Sequence, residues 1–205
     1  MKVNPDSFYG QQEGETILYT LIPHPLTLWL ALSKLYLGAL ALIVTGQIIT
    51  AQLPAGFGGV AATGSLTGLA LAVLGTTAVM QMRAKSRSYI TDRRIIRFYA
   101  HNPFATAIRS LNWDQAVKVK TFPPNIVFKM ARIGTVIVHS KSTIINNDQP
   151  IRENMVNNDD IELEEVFYYK DLGNYIDKII YLYNRQPANL KNLKPFIPKP
   201  KGLRY

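Results

Sequence analysis

Two apolar stretches constrain this chain more than anything else in it. The first runs over about residues 26–49 and the second over about 60–82, and Lys34 is the only charged residue in either. Each exceeds the roughly 20 residues that a helix rising about 1.5 Å per residue needs to cross about 30 Å of hydrocarbon. Buried core helices of a soluble protein are the competing reading. A soluble helix usually keeps a polar stripe, and residues 35–44 (Leu-Tyr-Leu-Gly-Ala-Leu-Ala-Leu-Ile-Val) have none. The intervening segment 50–59 carries no charge and is rich in Gly and Pro. The sequence therefore predicts a transmembrane helical hairpin over residues 26–82.

The flanking charges predict its orientation. The turn has no Lys or Arg, whereas Arg83, Lys85, Arg87, Arg93, Arg94 and Arg97 follow the second helix. Basic residues near helix ends stay in the cytoplasm. This predicts a multi-pass protein of the cell membrane with both termini cytoplasmic. Lys34 lies near the inner end of the first helix, from which it can snorkel to the headgroups. Within the second helix Gly64, Gly68, Ala72 and Thr76 recur four apart, which places them on one face. Gly64 and Gly68 have the GxxxG form that lets helix backbones approach closely. Packing within the hairpin or a homodimer would use that face equally.

Outside the hairpin the chain divides into a cytoplasmic N-terminal segment (1–25), a cytoplasmic domain (83–185) and a basic, Pro-rich tail (186–205). The domain is long enough for a core of its own. The 205-residue chain has no cysteine, which excludes disulfides and thiolate sites, and a net charge of +9. Because the basic residues crowd against the hairpin, anionic lipid is the expected partner and nucleic acid is not. Residues 1–14 are polar and lack the apolar run of a signal peptide.

After residue 87 the apolar period changes from 3.6 to 2. Residues 88–91 and 95–99 read as strands joined by the turn Thr91-Asp92-Arg93-Arg94. Residues 107–111, 116–122 and 135–140 follow, then an exposed polar loop at about 142–160 and a last strand at 161–167. Leu172, Tyr175, Ile176, Ile179 and Tyr183 fit the spacing of an amphipathic helix. Ile95, Val117, Val119, Val136, Val138 and Ile176 are the expected core.

Three segments resemble bacterial membrane proteins that carry a pleckstrin-homology-like domain, the YdbS-like type. Glu13-Gly14-Glu15-Thr16-Ile17-Leu18 with Pro23-His24-Pro25 is similar to the family's lead-in to its first helix. Tyr89-Ile90-Thr91-Asp92-Arg93-Arg94-Ile95-Ile96 is similar to its first hairpin, and Ile133-Gly134-Thr135-Val136-Ile137-Val138 to its Gly-Thr-Val strand. The resemblance spans roughly residues 13–185. It implies an α+β membrane protein in which the two-helix hairpin is followed by a PH-like β-sandwich or barrel capped by a C-terminal helix. The 142–160 loop and the basic tail depart from that pattern.

No chemistry-bearing motif accompanies this layout. His24, His101 and His139 are scattered without metal-ligand spacing, and no nucleophile elbow or phosphate loop is present. The acids Asp159, Asp160, Glu162, Glu164 and Glu165 cluster, but no partner residue is placed to complete a catalytic site. The sequence thus predicts a non-enzyme without metal or cofactor: a binding or scaffolding module that meets anionic lipid or a partner protein. The alternative is an accessory structural subunit of a larger membrane complex. Arg83, Lys85, Arg87, Arg93, Arg94 and Arg97 are the candidate lipid or partner contacts, although topology control alone also explains the first three. A homo-oligomer through Gly64, Gly68 and Ala72 is the second candidate contact. In the tail, Phe196, Lys199, Lys201 and Tyr205 are candidates for docking on a partner, against the simpler reading of a loose tail held by lipid.

Overall fold

A computed structural model of the chain describes residues 7–52, 58–100, 102–142, 159–190 and 192–199. Residues 53–57 of the expected outer turn, most of the 142–160 loop, His101, and Lys201 and Tyr205 of the tail lie outside the described residues. The chain is α+β, with two long apolar helices near the N-terminus followed by antiparallel sheets and a C-terminal helix. It forms two compact units. One comprises Met1–His24, Ser86–Tyr99 and Ala107–Tyr205, the other Pro25–Lys85 with Ala100–Thr106.

The helical unit pairs α1 (Pro25–Gln52) with α2 (Gly58–Lys85). Pro25 suits a first helical position, where its missing N–H has no partner to lose. The helices meet along small residues. A Cβ added at Gly64 would stand 3.2 Å from the Gly46 Cα, and one at Gly68 would stand 2.8 Å from the Ala39 carbonyl oxygen. Ala72 is half-buried. The Tyr36 and Thr76 hydroxyls lie 3.0 Å apart, tying the helices near mid-length. The remaining faces are apolar and exposed, Trp29, Leu37, Leu66, Leu69 and Leu74 each by more than 60 %.

The second unit holds two antiparallel sheets. The first orders β1 (Ile17–Leu21), β2 (Arg87–Thr91), β3 (Arg94–Ala100) and β4 (Thr106–Asn112); the second orders β5 (Ala116–Phe122), β6 (Ile133–Ser140) and β7 (Ile161–Phe167). β1 pairs directly with β2, Ile17 opposite Thr91 and Leu21 opposite Ser88. Both long helices are therefore an excursion between two neighbouring strands. Among the described residues the unit also holds α3 (Ile126–Met130), α4 (Tyr169–Arg185) and α5 (Pro187–Leu190).

One core joins the two sheets to α4. Ile90, Ile95, Trp113, Val136, Val138, Leu163, Leu172 and Ile176 are all fully buried in it. β2 and β3 also bury side chains on their second face, where Phe8 stacks on Tyr89 at 4.8 Å beside Ile96. Gly134 lets α4 approach: a Cβ there would meet the Tyr169 ring at 2.5 Å and the Phe122 carbonyl oxygen at 2.8 Å.

Several expectations need correction. Val117 is 41 % exposed rather than core, and Val119 is only half-buried. The pairing of β5 with β6 slips between Ala116 and Lys118, and such a slip moves the following side chains off the simple alternation. Between β5 and β6, Ile126–Met130 forms the short helix α3, started by the Asn125 side chain accepting the Phe128 N–H at 2.9 Å. In the described part of the tail, Leu190 and Phe196 are buried in the core of their own chain.

Candidate functional site

The six basic residues read as one cluster are distributed among three environments. Arg83 and Lys85 close α2. Arg83 donates to the Thr27 hydroxyl at 3.1 Å, and Lys85 donates to the Pro103 carbonyl. Thr27 lies in the first turn of α1, so these cations mark the end of the helical pair where the chain enters and leaves it. In the same unit the Asn102 side chain accepts the Phe104 and Ala105 N–H groups at 2.9 and 2.6 Å. That turn holds Phe104 91 % exposed. Arg87, which opens β2, is half-buried.

Arg93 and Arg94 belong to a clasp. The Glu15 side chain is fully buried. It accepts from Arg94 Nε and Nη2, both at 3.0 Å, from the Gln12 N–H at 2.8 Å and from the Thr91 hydroxyl at 2.8 Å. Burial pushes the Glu15 carboxyl up, but the Arg94, Gln12 and Thr91 hydrogen bonds with the Arg94 charge outweigh it and hold the group below its ordinary range. The same hydrogen bond to Glu15 raises the Arg94 guanidinium further. Arg94 also donates to the Gly10 carbonyl at 2.7 Å, and Arg93 to the Gln12 side chain at 3.2 Å. Asp92 accepts the Thr16 N–H at 2.9 Å, and the buried Trp113 indole donates to the Thr91 carbonyl at 3.0 Å. The segments 13–18 and 89–96, quoted separately for their resemblance, are thus two halves of one hydrogen-bonded clasp.

Arg97 reaches the other sheet. It pairs with Glu164 at 3.1 Å, donates to the Glu162 carbonyl and lies 5.7 Å from the Tyr99 ring centroid. Burial, and then the neighbouring Glu164 charge, raise the Glu162 carboxyl, which Arg97 only partly offsets. Arg94 and Arg97, expected to face lipid or a partner, are therefore tied to acids of their own chain. Arg83, Lys85, Arg87 and the exposed Arg93 are the members of the set left at the surface or at the helix end.

Gly64 and Gly68 face α1 inside the helical pair. A homodimer through that stripe would have to displace α1. Phe196 is 6 % exposed; its ring meets Tyr19 edge-on at 5.0 Å, and its N–H donates to the Leu18 carbonyl at 3.1 Å. It docks on its own domain, while Lys199 stays exposed. No family of proteins, curated protein or solved structure matches this chain.

The structure also brings together groups that the sequence did not. His139 Nδ1 lies 2.9 Å from the buried Asp160 carboxylate, which accepts the Ser140 N–H at 2.9 Å. A cleft of about 580 Å³ opens beside them, with Arg109 and Lys141 on its wall. The pair pins the end of β6 to the start of β7. A spacing of 21 residues with a polar loop between gave no sequence signal for it. Among the described residues no group of three His, Asp or Glu is placed to hold a metal ion.

Proposed function

We propose that the chain is a membrane-anchored binding or scaffolding module without catalytic activity. In this reading α1 and α2 span the cell membrane, and the two-sheet unit is a PH-like domain on the cytoplasmic face. The observation that carries it is the exposed apolar surface of the helical pair. Each helix is 28 residues long, and only 17 % and 6 % of their most apolar windows are buried. A soluble core helix buries most of such a surface, and exposed apolar patches of this extent mark a lipid or protein interface. At about 1.5 Å per residue each helix exceeds the hydrocarbon by roughly 12 Å, enough to carry Arg83 and Lys85 into the headgroups.

The β1–β2 pairing supports the sidedness. Paired strands on either side of the helices require both helix ends to emerge on one face of the bilayer. The uncharged turn then lies opposite, as the positive-inside rule asks. Trp29 near the start of α1 and Phe104 beside the end of α2 suit an interfacial belt. Four strands, three strands and a closing helix agree with the PH-like layout that the resemblance implies. An accessory subunit would dock through the tail and the 142–160 loop, and Phe196 of the tail is already occupied within the domain.

Single cysteines in this cysteine-free chain test the arrangement. In intact cells an impermeant maleimide is expected to label Gln52→Cys, and Lys141→Cys only after permeabilisation. The reverse pattern overturns the topology, and equal labelling of both in intact cells overturns the spanning hairpin.

A further inference from the structure

We infer that α3 and the basic cleft behind it form a second membrane contact, one that takes the headgroup of an anionic phospholipid at the bilayer surface. Three observations converge on it. The first is an apolar tip: Ile126, Val127 and Met130 are 76, 60 and 81 % exposed on one short helix. The Pro123-Pro124-Asn125 turn and the Asn125 cap fix that helix in place, so the exposure belongs to an ordered element.

The second is charge. Lys129, Arg132 and Lys170 line a cleft of about 290 Å³ directly behind the tip, against one acid, Asp171. All three cations are exposed. The Arg132 guanidinium lies 5.6 Å from the Tyr168 ring centroid, which holds it at the cleft wall. An apolar wedge rimmed by cations matches the boundary between acyl chains and anionic headgroups.

The third is position. Tyr168 contacts the Phe167 ring at 4.3 Å, and Phe167 contacts the His24 ring at 5.3 Å. The His24 N–H donates to the Glu165 carbonyl at 3.3 Å. His24 is bonded to Pro25, the first residue of α1. The cleft therefore lies two aromatic contacts from His24, the residue that precedes the first long helix in the chain. The inference rests on the proposed membrane reading.

The test uses the full-length chain in lipid nanodiscs, with one cysteine carrying an environment-sensitive nitrobenzoxadiazole label. With Val127→Cys, emission is expected to shift to the blue in discs rich in phosphatidylglycerol and to be quenched by lipids spin-labelled near the headgroup. Discs of phosphatidylcholine alone, raised salt, or Lys129→Glu with Lys170→Glu are each expected to lose most of that quenching. Leu69→Cys, exposed on α2, reports the hairpin independently. Water-like emission from the Val127→Cys label in both lipids, with the Leu69→Cys label quenched, overturns the contact and leaves the hairpin standing. An unquenched label at both positions overturns the membrane reading, and the contact with it. A blue shift at Val127→Cys without lipid quenching, lost when each disc holds one chain, assigns the surface to a second copy and overturns the lipid.

Discussion

Glu15 has no side-chain surface in water, and a buried carboxylate is tolerated only when its lone pairs are met. Arg94 meets two of them. Arg94→Ala leaves the charge buried without its cation and is expected to cost about 3 kcal/mol, measured by denaturant unfolding in detergent. The folded-state carboxyl is depressed, so its contribution is complete above the ordinary value near 4.3 and is lost as pH falls through the folded value. Glu162 has the opposite sign. Its carboxyl is raised in the fold, so ionising it costs stability once pH exceeds its ordinary range. Glu162→Gln is expected to raise the unfolding midpoint at pH 7 and to leave it unchanged below pH of about 4. At this scale the sequence was only half legible. Thr91-Asp92-Arg93-Arg94 reads as a turn because Asp bonds its own neighbourhood, but its acid partner lies 79 residues away in the chain. A cluster of cations looks alike on paper whether it faces lipid or a buried carboxylate.

Elements were read best where their periodicity is long. The two apolar helices and α4 have many turns of consistent pattern, so a local irregularity does not erase the signal. β5 is short, and one slip between Ala116 and Lys118 was enough to put Val117 in water. α3 is a single turn whose start depends on the Asn125 side chain, which no hydrophobic period records. The helix pair offers a controlled test of packing. Gly68→Val forces a side chain against the Ala39 carbonyl and the Ile43 side chain, whereas Gly38 has nothing within 4 Å. Gly68→Val is expected to destabilise the pair by about 1–3 kcal/mol, and Gly38→Val to leave it within about 0.5 kcal/mol, both followed by circular dichroism in micelles. In the tail, Phe196→Ala is expected to cost about 3 kcal/mol of domain stability, because it empties a buried site. Lys199→Ala, on an exposed position, is expected to change nothing measurable.

For the molecule as a whole, the order of elements in sequence concealed how the sheet is assembled. β1 precedes the helices and β2 follows them, yet the two are neighbours. Residues 15–22 read as a short extended segment, and β1 forms there, but a five-residue strand separated from its partner by two long helices carries no sign of what it pairs with. The arrangement makes the helical pair an oversized loop. Replacing residues 22–87 by Asn-Gly, which suits a two-residue hairpin turn, is expected to yield a cooperatively unfolding β-rich domain without detergent; an insoluble product would show that the domain needs the helices. The same topology sets a clock on biosynthesis. Leu21 leaves the ribosome about 67 residues ahead of Ser88, a wait of about 3–13 s at ordinary translation rates. Throughout that interval β1 has no partner strand and Glu15 no guanidinium. Both helices are made before the sheet can close, so a chain that stalls before β2 keeps a bare strand edge on display.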